Sequence, residues 1–419
     1  MCFRSFKQRG GVVAQRLVII HLAAVVYIAL PSIKPQGVPL TGHFPRLAQA
    51  FLDGSLSLDL SEEPELRHCD ELIPSENGAS FYCPYPPLPG VLLMPFVAIF
   101  GAAVRVQTAC RIMSVTNVLL FDLCLGRLPR RLGQPDLGLL ARASLNIFFA
   151  FGTVTWHNAD MGGDWHLAHA VALGVMLLAL REFAGANRPF IVGCFVAMAL
   201  LTRPTAGLAC LFFVPSLIRT RSAARLLRLA AAPVLAVALL GLYNYARFGN
   251  PLDFGYARML LTGIGQHNMA TYGQFDLHFL GANFFWFFLA PLWILPDGGF
   301  PWLGYDPRGL SLFIASPAFL CCLVAIRRQW KLPEVRDACL GIAASLVPLL
   351  MYFNTGYWQF GHRFSLDYLP LLFVLLLAWR GERFHVLVYM LIGISVFVQM
   401  WGVVLNPALM LPDWLAPVP

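Results

Sequence analysis

The run Gly42-His43-Phe44-Pro45-Arg46-Leu47-Ala48-Gln49-Ala50-Phe51-Leu52-Asp53-Gly54 lies inside a long polar, acidic loop at residues 31–89, set between two strongly apolar regions. Phe44, Leu47, Ala48, Phe51 and Leu52 recur at helical spacing, and Gly54 stands where a left-handed cap closes a helix. The run reads as a short amphipathic helix lying on a membrane surface. Its polar edge carries His43, Arg46, Gln49 and Asp53, and the chain continues through Asp59, Glu62, Glu63, Glu65, Asp70 and Glu71. Such a helix holds these groups over the mouth of a membrane-embedded cavity.

Working outward, hydrophobic residues make up 58% of 419 positions and charged residues 12%, with a mean hydropathy of +0.66. That composition excludes an ordinary soluble domain and predicts an all-α polytopic membrane protein. The formal charge of +8 is not a nucleic-acid patch, because the basic residues fall in short clusters between apolar runs. Arg4/Lys7/Arg9/Arg16, Arg127/Arg130/Arg131, Arg181/Arg188, Arg219/Arg221/Arg225/Arg228, Arg327/Arg328/Lys331/Arg336 and Arg380/Arg383 read as cytoplasmic anchors. The first apolar run, 12–30, reads as an uncleaved span, since Pro31-Ser32-Ile33-Lys34 offers no small-x-small cleavage site. Most of the 10 cysteines sit in apolar runs. Cys69 and Cys83 alone share the polar loop, which makes them the disulfide candidate if the loop faces an oxidising space.

A span needs about 20 apolar residues. Taking 87–101 as a proline-rich segment dipping into the outer leaflet keeps the basic clusters on one side. The spans then fall near 12–30, 104–125, 137–156, 166–180, 190–201, 205–218, 229–246, 309–326, 338–353, 369–379 and 385–405, about eleven in all. This puts the N-terminus inside and the loop 31–89, a second long segment 247–308 and the C-terminus outside. No internal repeat or low-complexity linker divides the chain, so it reads as one domain over 1–419.

A charge at the bilayer centre costs roughly 2.5–3.5 kcal/mol, so charges near spans report an aqueous or functional site. Here they gather on the outer face: His43, Asp53, His157, Asp160, Asp164, Arg203, Asp253, and the run 357–370 with Tyr357, Trp358, His362, Arg363, Asp367 and Tyr368. Arginine grips phosphate bidentately and aromatic faces stack on sugar rings, so the mixture suits a substrate with a phosphate and a sugar. Blander roles stand beside these: Asp160 and Asp164 as helix caps, Arg203 satisfying carbonyls freed at Pro204, and Tyr357, Trp358 and Tyr368 as interface anchors. His21 and His169 read as core residues. No P-loop, GxSxG, HExxH or paired CxxC is present.

Residues 42–58 (GHFPRLAQAFLDGSLSL), followed by Tyr85-Pro86-Pro87-Leu88-Pro89, resemble the first outer loop of the GT-C glycosyltransferases, the superfamily of protein O-mannosyltransferases and lipid A aminoarabinose transferases. LLTRPT at 200–205, YNYARFGNPLDFGY at 243–256, DPRGLS at 306–311 and QFGHRFSLDYLP at 359–370 resemble bacterial membrane proteins placed in that superfamily. The resemblance implies a GT-C-like helical bundle with outer juxtamembrane helices in a bacterial cytoplasmic membrane. It implies transfer of a sugar, with inversion, from a polyprenyl-phosphate donor to an envelope acceptor. Arg203, His362 and Arg363 would bind the donor phosphate, and Tyr357, Trp358 and Tyr368 the substrate. A divalent metal between carboxylates and phosphate is compatible with this chemistry, without a spacing signature here. The family places an acidic residue after the first span, where this chain reads Leu40-Thr41-Gly42-His43. The proton acceptor is then His43, Asp53, Asp160 or Asp164, or the chain is a noncatalytic lipid-sugar-binding protein. A lipid-linked-sugar transporter is the alternative, although transporters commonly carry repeats and midplane polar groups.

Overall fold

The computed structural model describes residues 2–30, 42–61, 72–75, 80–294, 302–357, 359–379 and 386–405. Lipid offers backbone groups no hydrogen-bond partners, so apolar runs that enter it close their own ladders as helices. The first half holds α1 (Cys2–Ala24), α2 (His43–Leu52), α3 (Leu88–Phe100), α4 (Val106–Leu125), α5 (Leu128–Arg131), α6 (Leu139–Phe151), α7 (Thr155–Met161) and α8 (Asp164–Ala184). Then come α9 (Pro189–Leu200), α10 (Pro204–Ala209), α11 (Val214–Arg219), α12 (Ala223–Phe248), α13 (Gly263–Tyr272) and α14 (Leu280–Phe284). The last part holds α15 (Leu312–Ala315), α16 (Leu320–Gln329), α17 (Pro333–Leu350), α18 (Leu369–Ala378) and α19 (Val386–Met400). Two short antiparallel hairpins, Ile73–Pro74 with Phe81–Tyr82 and Trp293–Ile294 with Leu303–Gly304, are the only sheets among the described residues.

The chain is all-α and multi-pass. Among the described residues, five helices are long and apolar enough to cross a membrane: Gly10–Ala29, Val106–Leu125, Asp164–Ala184, Ala223–Phe248 and Val386–Val404. α6 and α7, bent by 41° at their junction, make six if the pair is one span. Shorter apolar helices occupy Leu88–Phe100, Pro189–Leu200, Pro204–Arg219, Leu277–Leu289 and Leu369–Ala378. Pro204 separates α9 from α10, and Pro317 breaks the expected span 309–326 between α15 and α16. The helices are packed inside out relative to a soluble bundle. On α1 and α12, Leu17, Val18, Leu227 and Val234 are each more than 60% exposed, surface that lipid must cover. All of α18 and nearly all of α8 are buried, as helices apolar on every face must be.

Side-chain contacts fix which helix ends meet. At one end, Arg16 and Arg142 converge on Asp122, Arg219 pairs with Asp337, and Arg131 approaches Glu334. At the other, Tyr27 donates to Ala150 O, Leu88 N to Leu201 O, and Arg203 pairs with Asp367. There too Arg247 donates to Cys83 O, Asp276 N to Met351 O, and Gln399 to Ala315 O. Among the described residues, Arg16, Arg131 and Arg219 of the basic clusters thus sit at the Asp337 end, and residues from the first and second long loops at the Asp367 end. α3 packs on α2, where a Cβ added at Gly90 would lie 3.0 Å from Leu47.

Candidate functional site

The site is built at the Asp367 end. The α7–α8 turn passes through Gly162 at φ +63, where a Cβ would lie 3.1 Å from Gln107 Cα, so a left-handed residue without a side chain is required. Asp164 follows, and its two carboxylate oxygens accept from His43 N and Phe44 N, each at 2.9 Å. Asp164 therefore caps a helix, but that helix is α2 and not its own, and the cap ties the amphipathic helix to the bundle. His43 is buried, its ring tilted against Tyr85 at 6.5 Å.

The run 355–367 is tied down by Gln359. Its Nε2 donates to Arg308 O at 2.6 Å and Thr355 O at 3.0 Å, and its Oε1 accepts from Arg363 N at 3.0 Å. Arg363, 4% exposed, donates from Nη1 to Tyr357 O at 3.0 Å and lies over the rings of Trp165 at 5.1 Å and Phe364 at 5.4 Å. The structure thus brings Arg363, the Trp165 turn and, through Asp164, α2 into one neighbourhood. Asp160 is buried in α7, with its carbonyl accepting from Arg111 at 3.5 Å.

Several of the expected site residues are engaged within the protein. Arg203 donates from Nε and Nη2 to Asp367 at 2.8 and 3.1 Å. Asp367 also accepts from Thr205 at 2.5 Å and lies 3.0 Å from His169 Nδ1. Burial alone would raise the Asp367 carboxyl, but Arg203 and His169 outweigh it and hold the group below the carboxylate range. His362 stacks on Phe287 with centroids 3.5 Å apart. Burial, only partly offset by Asp367, holds it well below the usual histidine range, so it is neutral and carries no charge for a phosphate. Asp53 is exposed at the end of α2, accepting from Gln49 at 3.0 and 3.1 Å. Tyr368 is buried, and Tyr357 contributes its carbonyl. Trp358, Cys69 with its Cys83 bridge, and the acidic residues 62–71 lie outside the described residues. Among the described residues no cluster of three or more His, Cys, Asp or Glu is arranged to hold a metal ion.

Sequence reasoning missed the pairing of His169 with Asp367. The signal was present, since an ionisable side chain inside an apolar run calls for a partner. At the opposite end it also missed Asp122, which accepts from Arg16 at 2.5 Å, Arg142 at 2.6 and 2.8 Å and Asn146 at 2.9 Å. Comparison with protein-family models, with curated proteins and with solved structures gives no match for this chain.

Proposed function

We propose that this protein is a membrane glycosyltransferase that moves a sugar from a polyprenyl-phosphate donor to an envelope acceptor at the outer face of a bacterial cytoplasmic membrane. On this reading eleven segments cross, with the N-terminus inside and the C-terminus outside, and the Asp367 end faces out. The observation that carries the proposal is a buried arginine against an aromatic wall at one end of the bundle: Arg363 lies over Phe364 and over Trp165 in the first turn of α8, and α7, which leads into that turn, carries the buried Asp160.

Arg363 takes the departing phosphate, because its planar guanidinium, suited to a phosphate, stands over the Trp165 and Phe364 rings at the end of the bundle that faces out on this reading. Asp160 is the proton acceptor: Asp53 is exposed, and both oxygens of Asp164 are held by the amides of α2. The acceptor hydroxyl gives its proton to Asp160 as its oxygen bonds to the anomeric carbon. The bond from that carbon to the phosphate oxygen breaks on the opposite face, and the electron pair leaves with the phosphate beside Arg363. Asp160→Asn is expected to lower transfer of radiolabelled sugar about a hundredfold, with Asp53→Asn unchanged. Equal effects of the two would remove Asp160 from this role. A second reading, transport of a lipid-linked sugar, draws on the buried Asp122 ion-pair set at the opposite end of the bundle. It predicts movement of the donor lipid across vesicles without any transfer.

A further inference from the structure

His169 Nδ1 lies 3.0 Å from a carboxylate oxygen, which only accepts, so Nδ1 carries the proton and Nε2 is left as an acceptor. That Nε2 is buried with no hydrogen-bond partner. Both ring nitrogens of His362 and the hydroxyl of Tyr368 are in the same condition. The residues are 0%, 1% and 1% exposed. Their rings are neighbours: His362 is 6.4 Å from Tyr368, and His362 and His169 each stand 5.9 Å from Phe364. A buried polar atom left unpaired costs roughly 1–3 kcal/mol, so several on neighbouring rings point to a place that a guest completes.

The chemistry of the orphaned atoms selects that guest. They belong to uncharged rings and a hydroxyl, and the fixed charges near them are Asp367, already paired with Arg203, and the guanidiniums of Arg203 and Arg363, which lie over the Phe364 ring at 5.7 and 5.4 Å. The orphaned atoms themselves offer a phosphate no cation, and of the two arginines nearby Arg203 is paired with Asp367 while Arg363 stands on the Trp165 side of Phe364. A hydroxyl donates and accepts, which suits an acceptor nitrogen, a neutral imidazole and a phenol together. Phe287 and Phe364 supply apolar walls. We infer that His169, His362 and Tyr368 form a subsite for an uncharged, hydroxyl-bearing group. On the glycosyltransferase reading above, upon which this rests, that group is the sugar of the lipid-linked donor, and its phosphate is left to Arg363.

The test uses the full chain in detergent and measures affinity from thermal shifts. Undecaprenyl phosphate alone is compared with a panel of undecaprenyl-phosphate hexoses and pentoses. In the wild type at least one sugar should tighten binding about tenfold over the bare lipid. Tyr368→Phe, and His362→Phe, which preserves the stack on Phe287, should each erase most of that gain while bare-lipid affinity stays within about twofold. Because the phenol has no protein partner, ligand-free Tyr368→Phe should melt at the wild-type temperature or above. If no sugar adds affinity, or the variants weaken both lipids alike, the subsite is overturned while the glycosyltransferase reading stands. A lower melting temperature for ligand-free Tyr368→Phe would show that ordered water alone already completes the hydroxyl, and would also overturn it. If His362→Phe does not fold, Tyr368→Phe decides. If neither lipid binds, the glycosyltransferase reading falls and the subsite with it.

Discussion

Replacing Arg203 by Gln removes one side of a buried ion pair and leaves the other in place. Asp367 is 0% exposed and takes hydrogen bonds from Arg203 at 2.8 and 3.1 Å, from Thr205 at 2.5 Å and, through His169, at 3.0 Å. After the change the carboxylate keeps two neutral donors and loses its only countercharge among these partners. Removing one member of a buried pair costs about 3–5 kcal/mol. Arg203 retains 19% side-chain exposure, so water reaches part of the gap, and the expected cost sits near the lower bound, about 3 kcal/mol. Asp367→Asn in the same background removes the stranded charge, so the double variant should be less damaged than the sum of the singles by about 2 kcal/mol. Reversible unfolding in mixed micelles of rising SDS fraction, with all four proteins, supplies the cycle. A cost for Arg203→Gln below about 1 kcal/mol, with strictly additive singles, would refute the view that this pair joins α8, the α9–α10 break and the Arg363–Asp367 turn.

The same pair has a pH signature. The folded pKa of Asp367 is depressed, so its stabilising contribution is complete above the unfolded value of about 3.9 and is lost as the pH falls below it. Acid unfolding monitored by tryptophan fluorescence should lose its steepest segment in Asp367→Asn, and an unchanged curve would contradict this. Asp164→Asn retains one acceptor oxygen of the two that cap α2, so it should cost about 1 kcal/mol locally. Proteolysis within 42–61 should accelerate while the melting temperature of the bundle hardly moves, and unaltered protection would rule out the cap. Arg363→Lys keeps the charge and loses the planar fork over Trp165, so undecaprenyl phosphate should bind roughly tenfold more weakly to a protein that still inserts. Equal binding would remove Arg363 from the phosphate end.

How much was legible in the sequence follows from the range of each interaction. The spacing in 42–54 located α2 and most of its inner face: Phe44, Leu47 and Ala48 are buried, while Leu52 is 41% exposed. The apolar runs located α4 and α8 within a few residues. α12 begins at Ala223, well before the expected 229, because Ser222 accepts from Arg225 N and long arginine stems extend past the apolar run. The site was legible as a set and not as roles. Arg363 lies over Trp165, next in sequence to Asp164, but what each side chain holds depends on partners far along the chain. Asp367 finds Arg203 across 164 residues and His169 across 198, and Asp164 finds the start of α2 across 120 or more. No periodicity encodes such pairings, so Arg203 looked free for phosphate and His169 looked like filling.

The most direct test of the account is a structure of the full chain in lipid nanodiscs with undecaprenyl phosphate. The account predicts headgroup density within hydrogen-bond reach of the Arg363 guanidinium, at the end of the bundle that holds α2 and the α7–α8 turn. A headgroup seated instead among the arginines at the Asp337 end, with Arg363 still bound to Tyr357 O and no density beside it, would contradict it.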